Sequence, residues 1–269
     1  MHEILKRIFW QTDNARLYRS IAVWLALLSA GLGVSGGVQA ARPIKLIANE
    51  WQPYTGSDVM QQGVATQIVR AALNRAGYEV TISFSNWPRA LHTTYHGAAD
   101  GVVAVYATTA RAQRLLFSDK YLDSRIAVVA MTGNFVGFRK LSELRGLEVG
   151  IGRDYDYSDG FLREPGLSMQ PVDHAIQNLL KLTIRRIDVA IEDRLIIQHN
   201  IQRNMARHPE LRSIVSSEED LLVLPIHFGI NKNTKDAELI VRNFNAALGA
   251  MKQDGTLRKI LDEWGIPSM

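Results

Sequence analysis

Two residues in the stretch Asp100–Tyr121, DGVVAVYATTARAQRLLFSDKY, have the chemistry to hold a small anion. Arg111 carries a planar guanidinium whose parallel N–H groups match a carboxylate in a two-pronged fork. Thr108, three residues earlier, offers a hydroxyl. Gly101 to Val105 is an unbroken apolar run that reads as a buried strand, and the polar turn after it sets Thr108 and Arg111 just beyond the strand's carboxyl end. In α/β proteins ligands bind in the crevice that opens there. The residues alone also allow a plainer reading, a surface arginine paired with a nearby acid.

Other chemistry-bearing residues say less. Gly150-x-Gly152 follows a strand, as a dinucleotide fingerprint would, but Tyr155 stands where the third glycine belongs, which leaves an ordinary strand-to-loop turn. His92 and His96 are spaced to share a helix face, yet no carboxylate lies near them in sequence to complete a metal site. Glu192 and Asp193 precede Arg194 and can pair with it as surface charge. Gly33-x-Ser35-x-Gly37 matches a hydrolase elbow by letter but falls in a segment that reads as a leader.

That leader is the first forty residues. Lys6, Arg7, Arg16 and Arg19 make a positive start, Ile21 to Val34 is apolar, and Val38-Gln39-Ala40 offers small residues before a cut after Ala40. A signal peptide over 1–40 implies export to a periplasm; an uncleaved N-terminal anchor is the alternative. The chain has no cysteine, so disulfides, a thiolate nucleophile and a lipid-modified cysteine are excluded. Without the leader's four basic and two acidic residues the formal charge falls from +4 to +2. No basic run interleaved with aromatics occurs, which argues against nucleic-acid binding.

After Ala41 the chain alternates strand and helix signals. Ile44 to Asn49 reads as a strand that ends at Trp51-Gln52-Pro53-Tyr54, where proline stops regular structure. Val64, Ile68, Ala72 and Leu73 share one face of a helix over 64–76, with Gly77 as its stop. Val80 to Phe84 alternates as a strand, and Pro88 suits the first position of a helix reaching His96. The strand Gly101 to Val105 completes β-α-β-α-β, which implies parallel strands and right-handed crossovers. A second such unit runs from strands at Ile126 to Met131 and Glu148 to Ile151, through a helix over 175–182 capped by Asp173, to a strand at Val189 to Ile191 and a helix over 195–205. Strands near Ile214, at Leu222 to Leu224 and at His227 to Asn231 follow, then helices over 237–253 and 256–264 parted by Gly255.

With the pieces in this order, the chain resembles the family 3 bacterial extracellular solute-binding proteins, the periplasmic receptors of amino-acid-type ABC transporters. The resemblance rests on Thr108-x-x-Arg111 followed by Phe117-Ser118-x-x-Tyr121, and on the ending Gly229-Ile-Asn-Lys232, helix, Asp254-Gly255, helix with Trp264. Trp51-Gln52-Pro53-Tyr54 is similar to the family's aromatic-x-Pro-aromatic turn, and Asp188 to Asp193 to its second-lobe strand ending in an acid. It implies an α/β fold of the two-lobed periplasmic-binding-protein clamshell (type II), each lobe a mostly parallel sheet flanked by helices. Lobe 1 would span 41–122 plus 232–269, and lobe 2 would span 123–231.

By the same resemblance, a monomer would capture a small polar, carboxylate-bearing ligand, an amino acid or a related compound, and deliver it to an ABC transporter permease. Arg111 would bind the carboxylate and Asp193 the α-ammonium group. Trp51 would cover the ligand and Trp87 would line its side-chain pocket, with Thr108, Tyr106, Tyr54 and Asp156 nearby. No cofactor, metal or catalytic residue is implied. Two departures stand out: Tyr106 occupies a position that usually holds a small hydroxyl residue, and the loop from Gly150 to Asp156 carries acids and aromatics. The alternatives are an enzyme resembling cyclohexadienyl dehydratases, with Glu192 or Asp193 as general acid, and a sensing module for a membrane signalling partner.

Overall fold

The computed structural model describes residues 41–134, 137–153 and 164–267. In chain order the regular elements are β1 (Arg42–Asn49), α1 (Val64–Arg75), β2 (Tyr78–Ser85), α2 (Trp87–Tyr95), β3 (Gly101–Tyr106), α3 (Thr109–Ala112), β4 (Leu115–Phe117) and β5 (Leu122–Met131). They continue with β6 (Glu148–Gly152), β7 (Ser168–Val172), α4 (Ala175–Thr183), β8 (Val189–Asp193), α5 (Arg194–Asn204), β9 (Ile214–Ser216), β10 (Leu222–Asn231), α6 (Ala237–Gln253) and α7 (Thr256–Glu263).

The alternating pattern produces two parallel cores. β1 lies between β2 and β3, parallel to both, and β6 lies between β7 and β8, again parallel to both. Two ten-residue strands join them. β10 runs antiparallel to β3 and β4 over its last residues and to β5 over its first. β5 then leaves β10 at Ile126 and continues antiparallel to β8 and β9. One mixed sheet of ten strands results, in the order β2-β1-β3-β10-β5-β8-β6-β7 with β4 and β9 alongside.

Apolar side chains bury on both sides of each core, as expected where helices cover a sheet. Ile44, Leu46, Ile68, Leu73, Val103, Phe228 and Phe244 share one cluster under α1 and α6. Beyond the joining strands, Ile126, Val128, Val149 and Ile191 cluster on one face, and Val129, Leu179, Ala190 and Ile197 on the other, under α4 and α5. Ser118 and Tyr121 are fasteners in this packing. Phe228 N–H donates to Ser118 Oγ (3.0 Å), and the buried Tyr121 hydroxyl donates to Val103 O (2.8 Å).

Several boundaries differ from the sequence expectations. Leu222 to Asn231 is one strand that runs through Pro225, and β5 begins at Leu122 rather than Ile126. The short β4, β7 and α3 carry too few residues for a periodic signal. Asn86, not Trp87, caps α2 by accepting from Arg89 N–H (3.0 Å), so Pro88 is the second helical residue. Asp173 does not cap α4: it pairs with Arg153 (2.6 Å), while Gln177 Oε1 accepts from the N–H groups of Asp173 and His174 (3.1 Å each).

The turn after β1 is locked onto the start of α1. Trp51 and Thr55 exchange backbone hydrogen bonds (2.8 and 3.1 Å), while Pro53 O and Tyr54 O accept from the first free N–H groups of α1, those of Val64 and Ala65. This close seat requires Gly63, whose φ of +100° is open to glycine and whose absent Cβ would lie 2.3 Å from Tyr54 O. Gly63→Ala is therefore expected to lower unfolding free energy by more than about 1 kcal/mol, read from urea denaturation. An unchanged midpoint would refute the locked turn.

Candidate functional site

Among the described residues, Trp51, Tyr54, Trp87, Tyr106, Thr108, Arg111 and Asp193 form two contiguous groups. The first is built on the turn after β1. Trp51 stacks on Tyr54 at 4.4 Å between ring centroids and meets the edge of Tyr106 at 5.6 Å. The fully buried Tyr54 donates its hydroxyl to Asp193 Oδ2 (2.9 Å). The second group follows β3. Thr108 Oγ1 accepts from Arg111 N–H (3.2 Å) and so starts α3. The Arg111 guanidinium donates to Tyr106 O (3.0 Å) and lies 5.2 Å over the Trp87 ring, within cation–π range. Tyr106 joins the groups, its carbonyl serving Arg111 and its ring facing Trp51.

Arg111 is buried, 8% exposed, which sets aside the reading of a surface arginine. Trp51 and Trp87 are each half-buried, packed at the margins of apolar clusters. Asp156 lies outside the described residues.

Asp193 is completely buried at the point where β8 turns into α5. Its Oδ1 caps the helix, accepting from Leu195 N–H (2.8 Å) and Ile196 N–H (3.1 Å). Its Oδ2 accepts from Ser124 Oγ (2.7 Å), Tyr54 Oη (2.9 Å) and Arg125 N–H (3.0 Å). Burial pushes the carboxyl above its usual pKa, opposed by the hydrogen bonds from Ser124, Tyr54 and the helix N-terminus. Ser124 Oγ in turn accepts from Tyr106 Oη (2.9 Å). Burial and the Asp193 charge raise the Tyr54 hydroxyl well above its ordinary value, and burial followed by the same charge does so for Tyr106. Both phenols therefore stay protonated and act as donors.

α5 reaches the same turn a second way. Ile196 is buried in the apolar cluster of β1 and α1, and exposed Arg203 donates to Gln52 Oε1 and Asp58 Oδ2 (2.9 Å each).

Ser124 gave no sequence signal, because a lone serine inside an apolar strand names no partner. The sequence allows Glu192 to pair with Arg194 as surface charge, and the structure excludes that pairing. Arg194 instead pairs with Asp220 (2.6 Å), and Glu192 is 1% exposed. Strand alternation puts Glu192 on the face opposite Asp193. Among the described residues its Oε1 accepts only from Asp193 N–H (3.0 Å) and its Oε2 has no partner. Desolvation raises its pKa to about 8. His92 and His96 stack at 4.0 Å, and among the described residues no group of three or more His, Cys, Asp or Glu side chains could hold a metal ion. Likewise, no described helix is long and apolar enough to cross a membrane.

The raised Glu192 pKa has a definite sign. The folded state keeps a proton that the unfolded state releases above its own value near 4.5. The stabilisation is thus complete below that value and lost as pH rises to about 8. Urea unfolding across this window should show stability falling by on the order of a few kcal/mol. Glu192→Gln should flatten much of that slope, and an equally steep slope in the variant would rule Glu192 out as its source.

The profile of the bacterial extracellular solute-binding proteins, family 3, matches residues 43–267. The L-cystine-binding protein TcyJ of Escherichia coli is 22% identical over 214 residues, covering 78% of this chain and 77% of TcyJ. Among solved structures, an ancestral arginine-binding protein bound to arginine aligns with a TM-score of 0.67 at 20% identity, covering 84% of this chain and 99% of that one. A histidine kinase sensor domain with similarity to periplasmic binding proteins aligns with a TM-score of 0.67 at 19% identity, covering 84% and 96%. These likenesses show the two-lobed α/β fold of periplasmic binding proteins of type II.

Proposed function

We propose that this chain, which belongs to the bacterial extracellular solute-binding proteins, family 3, captures a small polar, carboxylate-bearing ligand between two lobes and presents it to an ABC transporter. The observation that carries the reading is Arg111. It is a buried cation at the carboxyl end of a parallel strand, steadied by Thr108, by the Tyr106 carbonyl and by the Trp87 face. Such a group is preorganised to take a carboxylate in its fork, and a desolvated contact of that kind contributes about 1.5–3 kcal/mol. The ligand is an amino acid or a related compound, in keeping with relatives such as the L-cystine-binding protein and the arginine-bound ancestral protein.

Lobe 1 then comprises 41–122 with 232–269, and lobe 2 comprises 123–231. The division is supported by the two long strands β10 and β5, each of which pairs with a strand of one parallel core, β10 with β3 and β5 with β8, and by the apolar clusters around β6 and β8, whose buried residues all fall within 123–231. The ligand sits between Arg111 and Trp87 on one lobe and the end of β8 on the other, with Trp51 as its cover. Closure about β5 and β10 gives the permease one conformation to recognise. The chain acts in the periplasm as a monomer and binds without turnover. Prephenate and arogenate, substrates of the dehydratase reading, should remain unchanged on incubation.

A second reading is favoured by the likeness to the histidine kinase sensor domain. There the same clamshell reports its ligand to a signalling partner. Affinity capture from solubilised membranes separates the two, by recovery of a permease or of a receptor kinase.

A thermal-shift screen against amino acids, polyamines and small carboxylates tests the binding reading. A true ligand at about a hundred times its dissociation constant adds about 2.7 kcal/mol of stability. Arg111→Ala should weaken a carboxylate hit by at least about tenfold. Unchanged affinity in that variant would remove Arg111 from the site, and a library without hits would overturn solute capture.

A further inference from the structure

We infer that Arg203, Asp58 and Gln52 form a latch between the lobes that sets the balance between closed and open forms. It rests on the proposed division into lobes and names the contact that holds them together at the far end of α5.

The three side chains close a ring of hydrogen bonds. The Arg203 fork donates to Gln52 Oε1 and to Asp58 Oδ2, 2.9 Å each, and Gln52 Nε2 donates to Asp58 Oδ1. Arg203 stands in the last turn of α5, which covers the second parallel core through Ile197. Gln52 and Asp58 stand between β1 and α1, on the first core, and Asp58 is 145 positions from Arg203. Each side is braced within its own lobe. Ser57, next to Asp58, donates to Glu50 from its N–H (3.1 Å) and its hydroxyl (2.6 Å). Asn204, next to Arg203, donates to Asn200 O (2.8 Å). An arginine suits the post, because its planar fork reaches two acceptors at once where an ammonium is a single point of charge.

The two ends of α5 are tied to the turn after β1 in different ways. At its start, Asp193 is buried and bonded to Ser124 Oγ and Arg125 N–H of β5, one of the strands about which the lobes close. Arg203 lies about 15 Å further along the helix axis. Rotation about β5 and β10 leaves the Asp193 end almost in place and carries the Arg203 end furthest. The strengths of the two contacts match their places. Parting Tyr54 from Asp193 strips a donor from a buried charge. The side chains of Arg203 and Asp58 stay 49% and 55% exposed, so water and salt screen the pair and it can part and re-form. Hydrogen bonding from Arg203 holds the Asp58 carboxyl below its ordinary pKa, so the pair is charged at neutral pH.

The chain has no cysteine, so Met60→Cys and Gln202→Cys together create its only two labelling sites. Both residues are exposed, Met60 near Asp58 and Gln202 beside Arg203. Nitroxide labels there report the distance across the latch by pulsed dipolar spectroscopy, with no ligand needed. The labelled chain should populate a short and a long distance. Arg203→Ala should lower the short-to-long ratio by about three- to fivefold, the size expected of an exposed ion pair. Asp58→Ala should give the same loss, and the two together no more than either alone. Raising salt from about 0.05 to about 1 M should lower the ratio in the labelled chain and leave it unmoved in Arg203→Ala. A distribution that neither single variant changes overturns the latch, and so does a double variant in which the two losses add. A failed latch beside a screen that yields ligands sinks this inference alone. A screen without hits sinks solute capture and leaves the measured ratio as it stands.

Discussion

A buried carboxylate must find donors, and the placement of the site follows from how Asp193 finds them. Its five hydrogen bonds come from three separate parts of the chain: the turn after β1, the strand β5, and the first turn of α5. Withdrawing the partners of a buried charge costs on the order of a few kcal/mol, so these segments are held in register by one side chain. The helix N-terminus adds its positive end to the same balance. Trp51 and Tyr106 take their positions from partners of Asp193, Trp51 by stacking on Tyr54 and Tyr106 by bonding Ser124.

Glu192 shows how far environment, rather than residue type, decides the outcome. It is the neighbour of Asp193, equally buried, and carries the same functional group. Strand alternation sends it to the other face, where among the described residues one backbone N–H is its only donor. Asp193 has partners that favour the charged form and Glu192 has almost none, so Glu192 holds its proton at neutral pH. The pair could not be assigned from sequence, where both read as acids at a strand end.

Tyr106 is the other instructive residue. In sequence it is a departure from a small hydroxyl residue, and bulk at that point suggests an altered ligand. In the structure its backbone and side chain do separate jobs: the carbonyl orients Arg111, and the ring and hydroxyl close the space between Trp51 and Ser124. The first is open to any residue at that position, while the second requires an aromatic ring with a donor at its tip.

The α/β alternation, the buried strand before Arg111, the proline turn carrying Trp51 and the strand ending in Asp193 were all legible in the sequence. Each is set by local periodicity or by a residue that restricts the backbone. Short strands such as β4 and β7 escaped, and so did the continuity of β10 through Pro225, because sheet pairing is non-local. The sequence by itself determined the elements, their order and the residue types brought to the strand ends. Only the tertiary structure decided which atoms those residues spend on each other. A hydroxyl from Tyr54, 139 positions away, donates to Asp193, and such a pairing exists only once the folded chain has excluded water from both.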